Sequence, residues 1–321
     1  MAAPIVTSKK PGFIAAIALA LVWLCFLVFQ KSKMLTEPLN GLSESLPSKN
    51  SNRPLILYAY KETPNARENI EFFLDQGLHG AADFIFILNG DTDVAKLIPV
   101  KENIRVVQRP NTCFDLGAYG EVLRRDNLWK RYKHFITLNA SLRGPFLPYW
   151  SNKCWSDAYL ERVTDGVKLV GMTVNCTPRP HVQSMLWATD HIGMDILLNP
   201  PSNTTMEDGW GAANDPVAFA GCYTEMIKAV HAEIGATGAI RGSGYQVSAM
   251  MSAFDRDQEY FDHCDEHPND MLYTGMYFGA SIHPYETIFL KANRGIEPAT
   301  MDLLTKLHMS KKPDRSWDLC K

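Results

Sequence analysis

Apolar and polar positions divide the chain into two unlike parts. Phe13–Phe29 is an unbroken apolar run without a charge, with Lys9 and Lys10 before it and Lys31 and Lys33 after it. From Pro54 onward the apolar residues come in short blocks, most of them ended by a polar or glycine-containing turn. Leu55–Tyr60, Asp83–Leu88, Ile104–Val107 and His134–Leu138 are near-continuous apolar blocks of strand length. Between them, Asn65–Gly77 and Asp115–Arg125 have helical spacing, with Ile70, Phe73 and Leu74 on one face of the first and Gly77 as its expected stop. Apolar blocks without alternation, separated by helices, predict a mostly parallel sheet covered on both faces. The order β-α-β-(loop)-β-α-β is that of the nucleotide-binding half of a doubly wound α/β fold. Farther along, Val167–Val174 and Ser184–Thr189 read as strands, Gly193–Leu198 as a short helix and Tyr223–Glu233 as a longer one. Gln246–Phe254 fits a helix or a strand, and Thr287–Leu290 reads as a late strand.

The N-terminal run changes the picture from a globular domain to an anchored one. Its length suits a bilayer core, and no small-residue cleavage site follows it. The expected organisation is a short cytoplasmic tail (1–11), a transmembrane anchor (12–30), a polar flexible stem (31–53) and a lumenal domain (54–321). A short tail before a long C-terminal domain favours a single-pass type II arrangement. The short span suits the thinner membranes of the endoplasmic reticulum or Golgi.

Composition narrows the function. A net charge of −3 and the lack of a long basic run argue against a nucleic-acid partner. Six cysteines follow the apolar run: Cys113, Cys154, Cys176, Cys222, Cys264 and Cys320. An even set is compatible with three disulfides, for which fifteen pairings exist. Asn139, Asn175 and Asn203 begin glycosylation sequons. Asn203 lies in a Pro/Ser/Thr-rich loop suited to a glycan, and Asn139 is expected to stay bare at the end of a buried strand.

The candidate chemistry clusters where strand ends meet helix starts. Asn111 and Asp115 precede and open a helix, with Gly117 and Gly120 inside it. Glycine inside a helix costs stability, which points to close approach of another backbone or a ligand. The strand at His134 ends in Asn139-Ala140-Ser141, followed by Arg143. Asn and Ser suit ribose or phosphate hydrogen bonds, and the arginine fork suits phosphate. Two Asp-x-Asp sequences, Asp91–Asp93 and Asp255–Asp257, fall away from that strand end, so a divalent cation (manganese or magnesium) has no assured ligand there. His181 and Gln183 are candidates for an acceptor groove. His283, Glu286, Lys291 and Arg294 together offer a histidine, a carboxylate and two cations near a diphosphate. Glu225 and Glu286 are the candidate general bases for a sugar hydroxyl.

Asn111 through Leu123, Phe135–Ser141 with Arg143-Gly-Pro, the Glu225 helix, Gly244-Tyr245 and His283-Pro-Tyr-Glu286 resemble, in order, the GT-A-fold glycosyltransferases, and among them the rhamnan-synthesis-type branch. The resemblance implies a GT-A-like, Rossmann-like mixed sheet flanked by helices. It also implies transfer of a sugar from a nucleotide-sugar donor to a glycan or glycoprotein acceptor. The competing reading is an inactive transferase-like lumenal protein that binds a glycan or a partner enzyme.

Overall fold

The computed structural model describes residues 52–202, 208–256, 259–310 and 316–320. The run Phe13–Phe29, nearly all of the stem, Asn203 and Asp257 lie outside the described residues. Among the described residues no helix is long and apolar enough to cross a membrane.

In chain order the elements are β1 (Leu55–Tyr60), α1 (Pro64–Gln76), β2 (Asp83–Asn89), β3 (Ile104–Arg109), α2 (Asp115–Arg124), β4 (His134–Asn139) and β5 (Leu142–Arg143). Then follow α3 (Trp155–Leu160), β6 (Val167–Gly171), β7 (Val174–Asn175), β8 (His181–Val182), β9 (Leu186–Asp190) and α4 (His191–Leu198). The last are α5 (Met226–Gly242), β10 (Gln246–Ala249), α6 (Ser252–Arg256), α7 (Pro284–Thr287), β11 (Leu290–Lys291), α8 (Pro298–Ser310) and α9 (Ser316–Leu319).

Among the described residues, seven strands form one sheet in the order β10-β6-β9-β4-β1-β2-β3. Neighbours pair parallel except at β9, which runs antiparallel to both β4 and β6. The result is a mixed, mostly parallel sheet flanked by helices. Every residue of β1 is buried, as its unbroken apolar sequence requires of a strand covered on both faces. Phe73 of α1 seals one side, packing on Tyr58, Phe84, Phe86 and Trp155. Thr63 caps α1 by accepting from the Ala66 N–H at 3.1 Å, and Pro64 occupies the first turn, where its missing N–H costs nothing. Gly77 ends the helix as expected, but for reasons of space: a Cβ there would stand 2.6 Å from the Phe73 ring.

The second half departs from its expected elements. The strand expected over Val167–Val174 breaks at Gly171, where a Cβ would meet Val182 at 2.2 Å, and the chain turns into the β7–β8 hairpin. The helix expected from Tyr223 begins at Met226: Glu225 is extended, and the Tyr223 carbonyl accepts from the Phe114 N–H at 2.8 Å instead of from a helix N–H. Gln246–Phe254 divides into β10 and α6. The expected strand Thr287–Leu290 is instead a helical turn and the two-residue β11. Pro284 favours that turn, and His283 Nδ1 caps it at 3.1 Å from the Tyr285 N–H.

Of the fifteen possible pairings the structure forms Cys113–Cys222, Cys154–Cys320 and Cys176–Cys264. His79 lies beside the second of these, in a group of potential metal ligands within 4.8 Å. Its two cysteines are bonded to each other and offer no thiolate. His79 itself is fully buried against Phe84 and Trp155, and neither ring nitrogen has a hydrogen-bond partner among the described residues. Burial, reinforced by the charge of Arg53, pushes its pKa down to about 4. A base with a depressed folded pKa stabilises the fold fully above its ordinary value of about 6.5, and that contribution is lost as pH falls toward the folded value. His79→Leu is therefore expected to flatten the fall in thermal stability between about pH 6.5 and pH 4. An unchanged acid limb in the thermal unfolding midpoint would refute this.

Candidate functional site

The chain leaves β1 through β2 and β3 on one side and returns to β4 on the other, so the strand order reverses between β1 and β4. Open α/β sheets bind ligands beyond the carboxyl ends of strands at such a reversal. A cavity of about 250 Å³ lies there, lined by Lys61, Asn111, Thr112, Cys113, Asp115 and Tyr223 among others. Lys61 directly follows β1, and residues 111–115 connect β3 to α2. The Cys113–Cys222 disulfide ties that connection to the segment before α5.

Asp115 is half-buried at the first turn of α2. Burial pushes its carboxyl up to about 6, against a hydrogen bond from Asn139 and the charges of Lys291 and Lys61. Asn139 ends β4, and its Oδ1 accepts from the Ser141 N–H at 3.1 Å and the Ser141 hydroxyl at 2.6 Å. The Ser141 carbonyl in turn accepts from the Ala292 N–H at 2.9 Å, and β5 pairs antiparallel with β11. This pairing carries Lys291 to the strand end. Burial and the charge of Arg294 lower the Lys291 pKa, while Glu233, Asp270 and Asp115 oppose them. Among the described residues its ammonium has no hydrogen-bond or ion-pair partner. Asn111, Asp115, Asn139, Ser141 and Lys291 are thus brought together, and Lys61, which sequence reasoning missed, joins them. Its signal was position: the first residue after the first strand.

Other candidate residues are placed differently. Arg143 is buried, with Nε 2.5 Å from Asn69 Oδ1, Nη1 3.0 Å from Thr305 Oγ1 and Nη2 2.8 Å from Glu68 Oε2. Its fork joins α1 to α8. Glu286 accepts from the Ser252 N–H at 2.7 Å and the Tyr277 hydroxyl at 2.5 Å. Glu225 is exposed ahead of α5, its side chain without a hydrogen bond among the described residues. It follows Thr224, which lines the cavity. His181 is buried with Nδ1 2.7 Å from the Arg179 carbonyl, and His283 is the exposed cap of α7. Gln183 is buried between Thr173 and Asp270. Arg294 lies 3.5 Å from Asp270 and over the Tyr273 ring. Glu233 is a further missed carboxylate: α5 turns it inward, where it accepts a short hydrogen bond from the Ser184 N–H.

Gly117 and Gly120 answer to backbone. A Cβ on Gly117 would stand 2.8 Å from the Gly221 carbonyl oxygen, and one on Gly120 2.2 Å from that of Phe219. Because backbone yields less readily than a side chain, Gly120→Ala is expected to cost about 1–3 kcal/mol in urea unfolding. A neutral result would show that the Phe219 segment moves freely.

The Asp-x-Asp sequences offer little to a metal. Asp93 pairs with Arg67 at 2.5 Å and Asp255 with Arg162 at 2.6 Å. Arg67 also pairs with Glu62. At the strand edge the charges of Lys61 and Lys291 already act on the Asp115 carboxylate, a poor setting for a divalent cation.

No family model matches the chain, and no curated protein matches it in sequence. Solved structures similar to it include the mannosyltransferase PcManGT from Pyrobaculum calidifontis in complex with GDP-Man and Mn2+, at 15% identity and a TM-score of 0.38, covering 73% of this chain and 65% of that one. A cytidylyltransferase from Leptospira borgpetersenii serovar Hardjo-bovis matches at 12% identity and a TM-score of 0.29, covering 47% of this chain and 64% of the other. HddC from Yersinia pseudotuberculosis matches at 11% identity and a TM-score of 0.31, covering 44% and 79%. The chain therefore spans less than two thirds of the first two structures.

Proposed function

We propose that this protein is a GT-A-like glycosyltransferase that moves a sugar from a nucleotide donor to a glycan or glycoprotein acceptor. The observation that carries this reading is the convergence of Lys61, Asp115, Asn139, Ser141 and Lys291 on the edge where the strand order reverses. Two ammonium groups, one of them partly desolvated, are suited to the charge that develops on a departing diphosphate. Asp115 and Asn139 suit ribose or sugar hydroxyls. Of the two candidate bases, Glu225 is the one with no competing side-chain hydrogen bond among the described residues. In the proposed step an acceptor oxygen bonds to the anomeric carbon as the bond to the diphosphate breaks, and Glu225 takes the hydroxyl proton. The run Phe13–Phe29 is the proposed type II anchor in a Golgi or endoplasmic-reticulum membrane, with the domain in the lumen. Three disulfides suit that oxidising compartment.

The test is nucleotide release by the full-length chain from a panel of UDP- and GDP-sugars, with and without manganese. Turnover with one donor supports the reading. Absence of both turnover and nucleotide binding across the panel would overturn it. The commitment of Arg143 and Glu286 to structural partners favours a second reading, a non-catalytic glycan-binding domain. Nucleotide binding without turnover in the presence of mixed acceptors would select it.

A further inference from the structure

A second cavity, of about 450 Å³, is lined in part by Arg294, three residues beyond Lys291 of β11. Asp270 and Arg294 line it, and both act electrostatically on Lys291, as Asp115 does from the donor edge. Its volume lies within the range of small-ligand sites, about 300–1,000 Å³.

The wall chemistry is specific. The Arg294 guanidinium sits 5.2 Å over the Tyr273 ring, and its Nε is 3.5 Å from Asp270 Oδ2. It makes no hydrogen bond among the described residues, and the Nε atom is buried without one. With Nε buried beside Asp270, the two Nη groups are the donors left to meet acceptor oxygens from a ligand. Asp270 is fixed through Oδ1, which accepts from Gln183 Nε2 at 3.3 Å and the Leu272 N–H at 3.1 Å, so its Oδ2 faces Arg294 with no hydrogen bond of its own. Asn175, also in the wall, accepts from the Thr177 N–H through its Oδ1 at 3.2 Å. Tyr273 is 47% exposed and Met276, also in the wall, 44%. The Tyr273 surface that Arg294 leaves uncovered, framed by donors and a carboxylate oxygen, matches a pyranose, which has an apolar C–H face and a rim of hydroxyls. Charge narrows the class. Asp270 already offsets Arg294, and an anionic sugar would meet the Asp270 carboxylate.

We infer that this cavity binds an uncharged saccharide. On the transferase reading, on which this further role rests, that saccharide is the acceptor, held across Lys291 from the donor.

The test measures retention of the full-length chain on immobilised neutral oligosaccharides ending in mannose, galactose, N-acetylglucosamine or rhamnose, and on sialylated and uronate-containing ones. UDP and GDP are titrated separately against the same preparation. At least one neutral glycan is expected to bind. Tyr273→Ala is expected to weaken it about tenfold, while Tyr273→Phe, which keeps the ring, stays within about threefold. Tyr273 is exposed, so both variants should keep the thermal midpoint, which is measured alongside. Failure to bind any neutral glycan, a preference for the anionic ones, or indifference to Tyr273→Ala would each overturn the inference. If UDP or GDP still binds in those cases, the donor reading stands. Tyr273-dependent glycan binding without any nucleotide binding supports the saccharide site and sinks the donor reading.

Discussion

Asp190→Ala is expected to lower the free energy of unfolding by about 3–5 kcal/mol, the range for stripping a buried charge of its partner. Asp190 has two structural duties at the junction of β9 and α4. Its Oδ1 caps α4, accepting from the Ile192 and Gly193 N–H groups at 3.0 Å each. Its Oδ2 pairs with Lys168 Nζ at 2.5 Å, where the lysine side chain is 3% exposed. Losing a cap alone costs about 1 kcal/mol. The larger part comes from Lys168, whose ammonium would keep only the Thr164 carbonyl, 2.9 Å away, and the distant face of Tyr245. The double variant Lys168→Met, Asp190→Ala removes the charge together with its partner. It should recover most of the loss and leave roughly the cap term of about 1 kcal/mol. Urea titrations of the two variants decide the matter. A loss near 1 kcal/mol for Asp190→Ala alone would mean that Lys168 reaches water.

The parts of the molecule that a reader of the sequence finds are those whose environment is uniform. β1, β2 and β4 are buried on both faces, and a strand in that position needs only apolar residues, which is what Leu55–Tyr60 and its counterparts display. α1 announces its end through Gly77 because a close aromatic contact leaves room for nothing larger. The placement of Asn111, Asp115, Asn139 and Ser141 at one sheet edge was legible because they fall at strand ends and a helix start, where open α/β topologies direct ligands. Pairing between distant short segments leaves no such mark. β5 and β11 have two residues each, too few for a period, yet their pairing brings Lys291 to Asp115. Arg143 shows the limit of residue chemistry. A guanidinium suited to phosphate is equally suited to Asn69, Glu68 and Thr305, and only the packing of α1 against α8 selects the second use. Glu286 is subject to the same ambiguity, for a carboxylate that can deprotonate a hydroxyl can equally hold the Ser252 N–H.

Asp115→Asn is expected to raise stability and remove function together. Burial holds the Asp115 carboxyl up at about 6, above its unfolded value of about 3.9. The native state therefore keeps a proton that the unfolded chain releases between these values. Stability from this group is fully present below about pH 3.9 and is lost as pH rises through about 6, so the ionised carboxylate opposes folding at neutral pH. Two units correspond to about 3 kcal/mol, which partial solvent access reduces to about 1–2 kcal/mol. Asparagine keeps the neutral shape, so the variant should gain that amount near pH 8 and almost nothing near pH 4. The same change deletes the charged acceptor proposed for a donor hydroxyl, and affinity for UDP or GDP-sugars should fall by about tenfold or more. Such opposition is the mark of a site that gives up stability for binding. Two outcomes separate the parts of the argument. No gain at pH 8 would mean that Lys61 and Lys291 already neutralise the carboxylate in the free protein. A gain at pH 8 with unchanged nucleotide affinity would confirm the buried charge but remove Asp115 from the proposed donor site, leaving the two lysines as the groups proposed to meet the diphosphate.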